Sequence, residues 1–95
     1  MKFMHKWRVH PQHRHETLKA FSQMDAAADA ADMGDKIRLI GRWHDVARFE
    51  GVAIYECDDA IAMSNWVLNW NHVMDVDVSV VLDDEEARRL GRQRS

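Results

Sequence analysis

The residues best suited to chemistry lie in the run Ile40-Gly41-Arg42-Trp43-His44, followed after a short polar loop by Gly51-Val52-Ala53-Ile54-Tyr55-Glu56. Arg42 offers a planar fork of donors that can clamp an anion or a carbonyl oxygen. His44 changes charge near neutral pH and can serve as acid or base. Glu56 can orient either one. A tight hairpin that sets His44 opposite Val52 and Arg42 opposite Ile54 puts these residues on one sheet face with Glu56, and Arg42 lies diagonal to the carboxylate. A slip of one residue breaks the grouping. The charge on His44 depends on its neighbours: Glu56 favours the imidazolium, whereas Arg42 or burial favours the neutral ring. Antiparallel packing adds Lys6, Arg8 and Asp77 to the same face. Two readings follow, a structural ion-pair network at a dimer interface or a polar pocket for a small anionic or carbonyl ligand.

Other constellations are weaker. His10, His13 and His15 cluster near Pro11, but His13 and His15 are two apart and do not face each other on a helix. A zinc site needs three or four convergent ligands. Cys57 lies elsewhere, so no metal is expected. Trp66 and Trp70 are one helical turn apart and read as core. The other possibility is a wall of an apolar cavity between helix and sheet, to which Tyr55 adds a hydroxyl. The candidate ligand contacts are therefore Lys6, Arg8, Arg42, Trp43, His44, Tyr55 and Trp70, and the candidate catalytic groups are His44, Arg42 and Glu56. Cys57 sits between Glu56 and Asp58, which disfavour its thiolate. No Gly-rich phosphate loop is present, and no cofactor is expected.

The elements that must position these residues follow from hydrophobic periodicity. Phe3–Val9 alternates, with Phe3, His5, Trp7 and Val9 on one face and Met4, Lys6 and Arg8 on the other. A helix is predicted from about Gln12 to Met33, with Leu18, Phe21, Met24, Ala28 and Ala31 on its apolar stripe. Its Ala-rich second half carries Asp on the solvent side, and Gly34 supplies a C-terminal cap. Lys36–His44 and Val52–Cys57 form the hairpin. Asp58 and Asp59 are N-caps for a second helix, whose stripe is Ala62, Met63, Trp66, Val67, Trp70, Val73 and Met74. A last strand, Val76–Leu82, directs Val76, Val78 and Val80 at the helices. Residues 83–95 read as a short terminal helix with a frayed tail from Gly91. The order is β-α-β-β-α-β, a four-stranded antiparallel sheet with two helices on one face.

At 95 residues the chain reads as a single domain. A domain of this size buries only roughly 60–70% of its unfolded surface, so association helps it. The net charge of −3 gives no basic face for nucleic acid. No apolar run approaches the roughly 20 residues that cross a bilayer. A lone cysteine and a charged N-terminus point to the cytoplasm.

Several segments carry a family resemblance. They are Gly41-Arg42-Trp43-His44, Glu56 followed by Asp58-Asp59, Trp66 and Trp70 with Asn71 and Asp75, and Val80 followed by Leu82-Asp83-Asp84-Glu85-Glu86. With the opening Met1-Lys2-Phe3-Met4 and Trp7, they resemble domain-of-unknown-function family 3303, a family of short bacterial proteins. The chain departs from that pattern at His5, where an apolar residue is usual, and in the His-rich stretch His10–His15. The resemblance implies a ferredoxin-like half-barrel that pairs through its sheet into a dimeric α/β barrel. That superfamily includes cofactor-free monooxygenases, haem-degrading enzymes, stress proteins and ligand-binding regulators, a range too wide to assign a reaction. The expected function is a homodimeric module that binds a small organic or anionic ligand. The alternative is a cofactor-free oxygenase- or isomerase-type enzyme using His44 with Arg42 or Glu56.

Overall fold

The computed structural model describes residues 1–95. Strand β1 (Lys2–Val9) leads through a 3-10 turn at Pro11–His13 into helices α1 (Arg14–Ser22) and α2 (Ala26–Met33). Strands β2 (Arg38–Asp45) and β3 (Glu50–Glu56) form the hairpin, and α3 (Ala60–Val67), β4 (Met74–Val81) and α4 (Asp84–Gln93) complete the chain. The sheet order is β2-β3-β1-β4 with every pairing antiparallel. This is the ferredoxin-like β-α-β-β-α-β arrangement that the alternation predicts.

The first helix is two helices. Ser22 turns its hydroxyl onto the carbonyl of Lys19, and Asp25, in extended conformation, accepts the amide of Ala28 at 2.8 Å. Such side chains offer the backbone local bonds in place of the helical ladder, so the helix stops and a new one is capped. The new axis reverses the expected facing of α2: Ala28 and Ala31 are exposed, while Asp29 and Asp32 turn inward. Gly34, with φ of 85°, ends α2 as the sequence suggests. The second helix is shorter than its stripe: α3 stops at Val67, Trp70 lies in the following turns, and Met74 opens β4. The terminal helix runs on through Gly91 to Gln93.

The hairpin register departs from strict alternation. Leu39 pairs with Tyr55, but the next partner of β3 is Gly41, opposite Ile54, so Ile40 is the extra residue of a bulge. Beyond it every side chain of β2 changes face. Arg42 lies opposite Ala53 and His44 opposite Gly51, on the helix side, while Ile40 is left 46% exposed. The expected pairings of His44 with Val52 and Arg42 with Ile54 are therefore one residue out.

The core fills the space between α3 and the central strands: Phe3, Ala53, Tyr55, Cys57, Met63 and Trp66, with Ile37 before β2. Only 10 of 95 residues are buried, and the radius of gyration of 15.0 Å exceeds the roughly 12 Å of a compact chain of this length. Part of the excess is α4, which buries no residue and is tied at its start by Lys2 to Asp83 (3.3 Å) and Glu86 (3.1 Å). Val78 and Val80 point to the helix side but stay 37% and 60% exposed. Helix cover thus ends before the outer part of β4.

Gly51 fixes the β1–β3 contact. A Cβ there would fall within the indole of Trp7, which lies across it. Gly51→Ala is expected to displace that ring and cost about 1–3 kcal/mol, as overpacking does. Chemical denaturation measures the loss; an unchanged midpoint would show that the ring moves aside freely.

Candidate functional site

A cavity lies between the helix side of the sheet and the three covering helices. The sheet contributes His5, Trp7, Arg42, His44 and Tyr55; Phe21 comes from α1, Asp29 and Asp32 from α2, and Trp66 from α3, with Trp70 beyond it. Its volume is about 90 Å³, several times the roughly 10–15 Å³ that one water needs. Trp7, Phe21, Phe49, Tyr55, Trp66 and Trp70 give its wall six aromatic rings beside the two imidazoles.

His5 is the polar residue furthest inside. It is 6% exposed, and its ring packs against Trp7 (5.3 Å between centroids), Tyr55 (5.7 Å) and Trp66 (5.3 Å). Both ring nitrogens are buried without a hydrogen-bond partner, and so is the hydroxyl of Tyr55. Buried polar atoms of native proteins are nearly always bonded, so three orphans on one wall are unusual. Burial, aided by the charge of Arg42, holds the His5 pKa down at about 4, so the ring is neutral at pH 7. Burial pushes Tyr55 up to about 12, against the pull of Arg42. The guanidinium is near enough to bias Tyr55 but makes no hydrogen bond of acceptable geometry with its hydroxyl.

Arg42 is engaged elsewhere. Its guanidinium bonds both carboxylate oxygens of Asp29, Nη1 to Oδ1 at 3.4 Å and Nη2 to Oδ2 more closely, and it lies 5.0 Å over the ring of Phe21. Burial is the largest single influence and opposes its charge, but the bond and charge of Asp29, together with Tyr55, outweigh it and raise the pKa. One turn along α2, Asp32 Oδ2 accepts from the indole N–H of Trp66 and of Trp70, each at 2.8 Å. The two inward aspartates thus latch an alanine helix that buries no residue of its own.

His44 stands at the mouth, its ring against Trp7 (5.3 Å) and Phe21 (5.0 Å). Its pKa is lowered by burial first and Arg42 second, which selects the neutral ring of the two alternatives. Glu56 does not reach it. That carboxylate points to the opposite sheet face, 3.6 Å from both Lys2 Nζ and the N-terminal amine.

The structure therefore divides the residues singled out from the sequence. Arg42, His44, Tyr55 and Trp70 come together in the cavity. Lys6, Arg8, Trp43 and Asp77 border a wide depression of about 690 Å³ on the open sheet face, whose rim His44 shares. Its charges are largely solvated: Arg8, 66% exposed, pairs with Glu50 at 2.8 Å, and Trp43 is 62% exposed over Gly41. It holds no orphaned polar atom. The cavity is the better candidate despite its smaller volume. His10 and His13 approach each other across Pro11, 6.4 Å between ring centroids, but take separate partners, Asp75 (3.0 Å) and Glu16 (3.9 Å), while His15 turns to the ring of Phe49 (5.1 Å).

Asp29, Asp32 and Phe21 are cavity residues that the sequence reading did not select. His5 was placed on the correct face, and a polar side chain among Phe3, Trp7 and Val9 was the available signal.

His5 also sets a pH dependence. The unfolded chain takes up a proton near pH 6.5, whereas the folded ring resists until about 4. Its stabilising contribution is full above pH 6.5 and lost as pH falls toward 4. A decline of about 2–3 kcal/mol is expected over that interval, with a smaller share of the same sign from His44. His5→Phe should flatten it. Urea unfolding at pH 7 and 4.5 checks this; an equal slope in the variant would contradict it.

The family described as domain of unknown function (DUF3303) matches residues 1–95. No curated protein matches the chain. Among solved structures, a Deinococcus radiodurans protein described as an antibiotic biosynthesis monooxygenase is 12% identical, with a TM-score of 0.48 over 87% of this chain and 94% of that one. A likeness at that level says nothing of activity. No helix is long and apolar enough to cross a membrane.

Proposed function

We propose, from the premise that the chain belongs to the DUF3303 family along its whole length, that it is a binding module for a small organic ligand held between sheet and helices. The observation that carries this is the wall of the cavity, where His5 and Tyr55 present three buried polar atoms without partners among aromatic rings. A folded chain tolerates such orphans at a cost of about 1–3 kcal/mol each, which a bound ligand relieves. The alternative, a cofactor-free oxygenase- or isomerase-type enzyme, keeps His44 and Arg42 in one place but loses Glu56 to the other face. His44 has no carboxylate partner to orient it, and no observation favours a reaction over binding.

Pairing through the open sheet face belongs to the same reading. That face carries Met4, Val52, Ile54 and Val81 between the charges of Lys6, Arg8 and Asp77, and few residues are buried in the single chain. The buried thiol of Cys57 suits a cytoplasmic site of action.

The test compares His44→Gln with His13→Gln. Sedimentation at micromolar concentration reads dimer affinity, and thermal shifts in a fragment screen read binding. His44→Gln is expected to change at least one readout and His13→Gln neither. Silence of both variants would remove the His44 region from the site, and a purely monomeric wild type would refute the pairing.

A further inference from the structure

The charges around the cavity decide which ligand it can take. Besides the two neutral histidines, its lining carries one cation, Arg42, against four carboxylates, Asp29, Asp32, Asp45 and Glu50. Each carboxylate has its own partner. Asp29 holds Arg42, Asp32 holds two indoles, Glu50 takes Arg8, and Asp45 caps the amide of Arg48 at 3.3 Å. An incoming anion would have to displace Asp29 from Arg42 and then sit beside Asp32. An incoming cation is attracted by the excess of carboxylates, but each of them is already engaged, so in a low-dielectric wall the water that the cation sheds is not replaced. The buried groups of the wall left free are uncharged: one donor and one acceptor nitrogen on neutral His5, and the Tyr55 hydroxyl, which can donate and accept. The remaining wall of Trp7, Phe21, Trp66 and Trp70 suits a flat apolar body.

We infer, resting on the cavity as the ligand site, that its ligand is an uncharged planar ring bearing a hydroxyl, with the hydroxyl read by His5 and Tyr55. One hydroxyl can donate to the acceptor nitrogen of His5 and accept from Tyr55, which satisfies atoms on both side chains. Arg42 then acts as a structural strut between the sheet and α2, not as an anion clamp.

Four probes of similar size separate the possibilities: phenol, toluene, benzoate and benzylammonium, titrated at pH 7 and followed by NMR shifts of the full chain. Phenol is expected to bind about tenfold or more tightly than the other three, the usual effect of one buried hydrogen bond. Tyr55→Phe and His5→Phe, each checked for a native thermal transition, should lower phenol affinity to that of toluene and leave toluene unchanged. Should His5→Phe fail to fold, Tyr55→Phe, which removes a single oxygen, still gives the answer. Preference for benzoate or benzylammonium, or equal binding of phenol and toluene, overturns the ligand class while leaving the cavity as a site. Binding of none of the four overturns the cavity reading and the class together.

Discussion

Trp66→Ala is expected to cost about 3–5 kcal/mol of unfolding free energy, the range for emptying a large aromatic site in a core. Trp66 is 5% exposed and meets Tyr55 edge-on at 5.0 Å and His5 at 5.3 Å. Truncation removes both contacts, opens a void beside the cavity, and strips Asp32 of one of its two indole donors. Trp70→Ala removes the other donor from a half-buried position, so its loss should be smaller. Urea unfolding of the two variants side by side gives the comparison. A loss below about 1 kcal/mol for Trp66 would mean that its ring is not part of the packed core.

Arg42→Met is expected to cost about 3–4 kcal/mol. The arginine and Asp29 side chains are only 14% and 16% exposed, so removing the guanidinium leaves a carboxylate nearly shut in and unpaired. Breaking a buried pair from one side costs about 3–5 kcal/mol, and the residual exposure places this one toward the lower end. The double variant Arg42→Met/Asp29→Leu replaces the pair with apolar side chains and should recover most of the loss. Equal destabilisation in the single and double variants would show that Arg42 acts through packing on Phe21, not through Asp29.

Both effects depend on features that hydropathy patterning sees only in part. The order of elements was legible because strands alternate with period two and helices with three to four, and each boundary carried a cap or turn residue such as Pro11, Gly34 or Asp59. The facing of β1 was legible for the same reason, including the inward direction of His5. The facing of Arg42 and His44 was not. A bulge at Ile40 reverses the parity of everything after it, and the isolated Gly41 inside the strand was the one sign of it, which alternation does not weigh. Alternation alone therefore put Arg42 and His44 with Glu56, on the face they do not occupy. The aspartates of α2 illustrate a different limit. Among alanines an acidic residue reads as solvent-facing, and only the tertiary partners, Arg42 for Asp29 and two indoles for Asp32, make the inward direction favourable. Ser22 and Asp25 were readable as breakers, but the high helix propensity of the surrounding residues masked them.

The proposed ligand site lies between sheet and helices and not on the open sheet face. Chemical-shift mapping of the isotope-labelled chain with phenol locates the ligand directly. Shifts are expected to concentrate at His5, Phe21, Tyr55 and Trp70, with the indole signals of Trp66 and Trp70 among the largest. Shifts confined to Lys6, Arg8, Trp43 and Asp77, with the cavity residues unmoved, would contradict it.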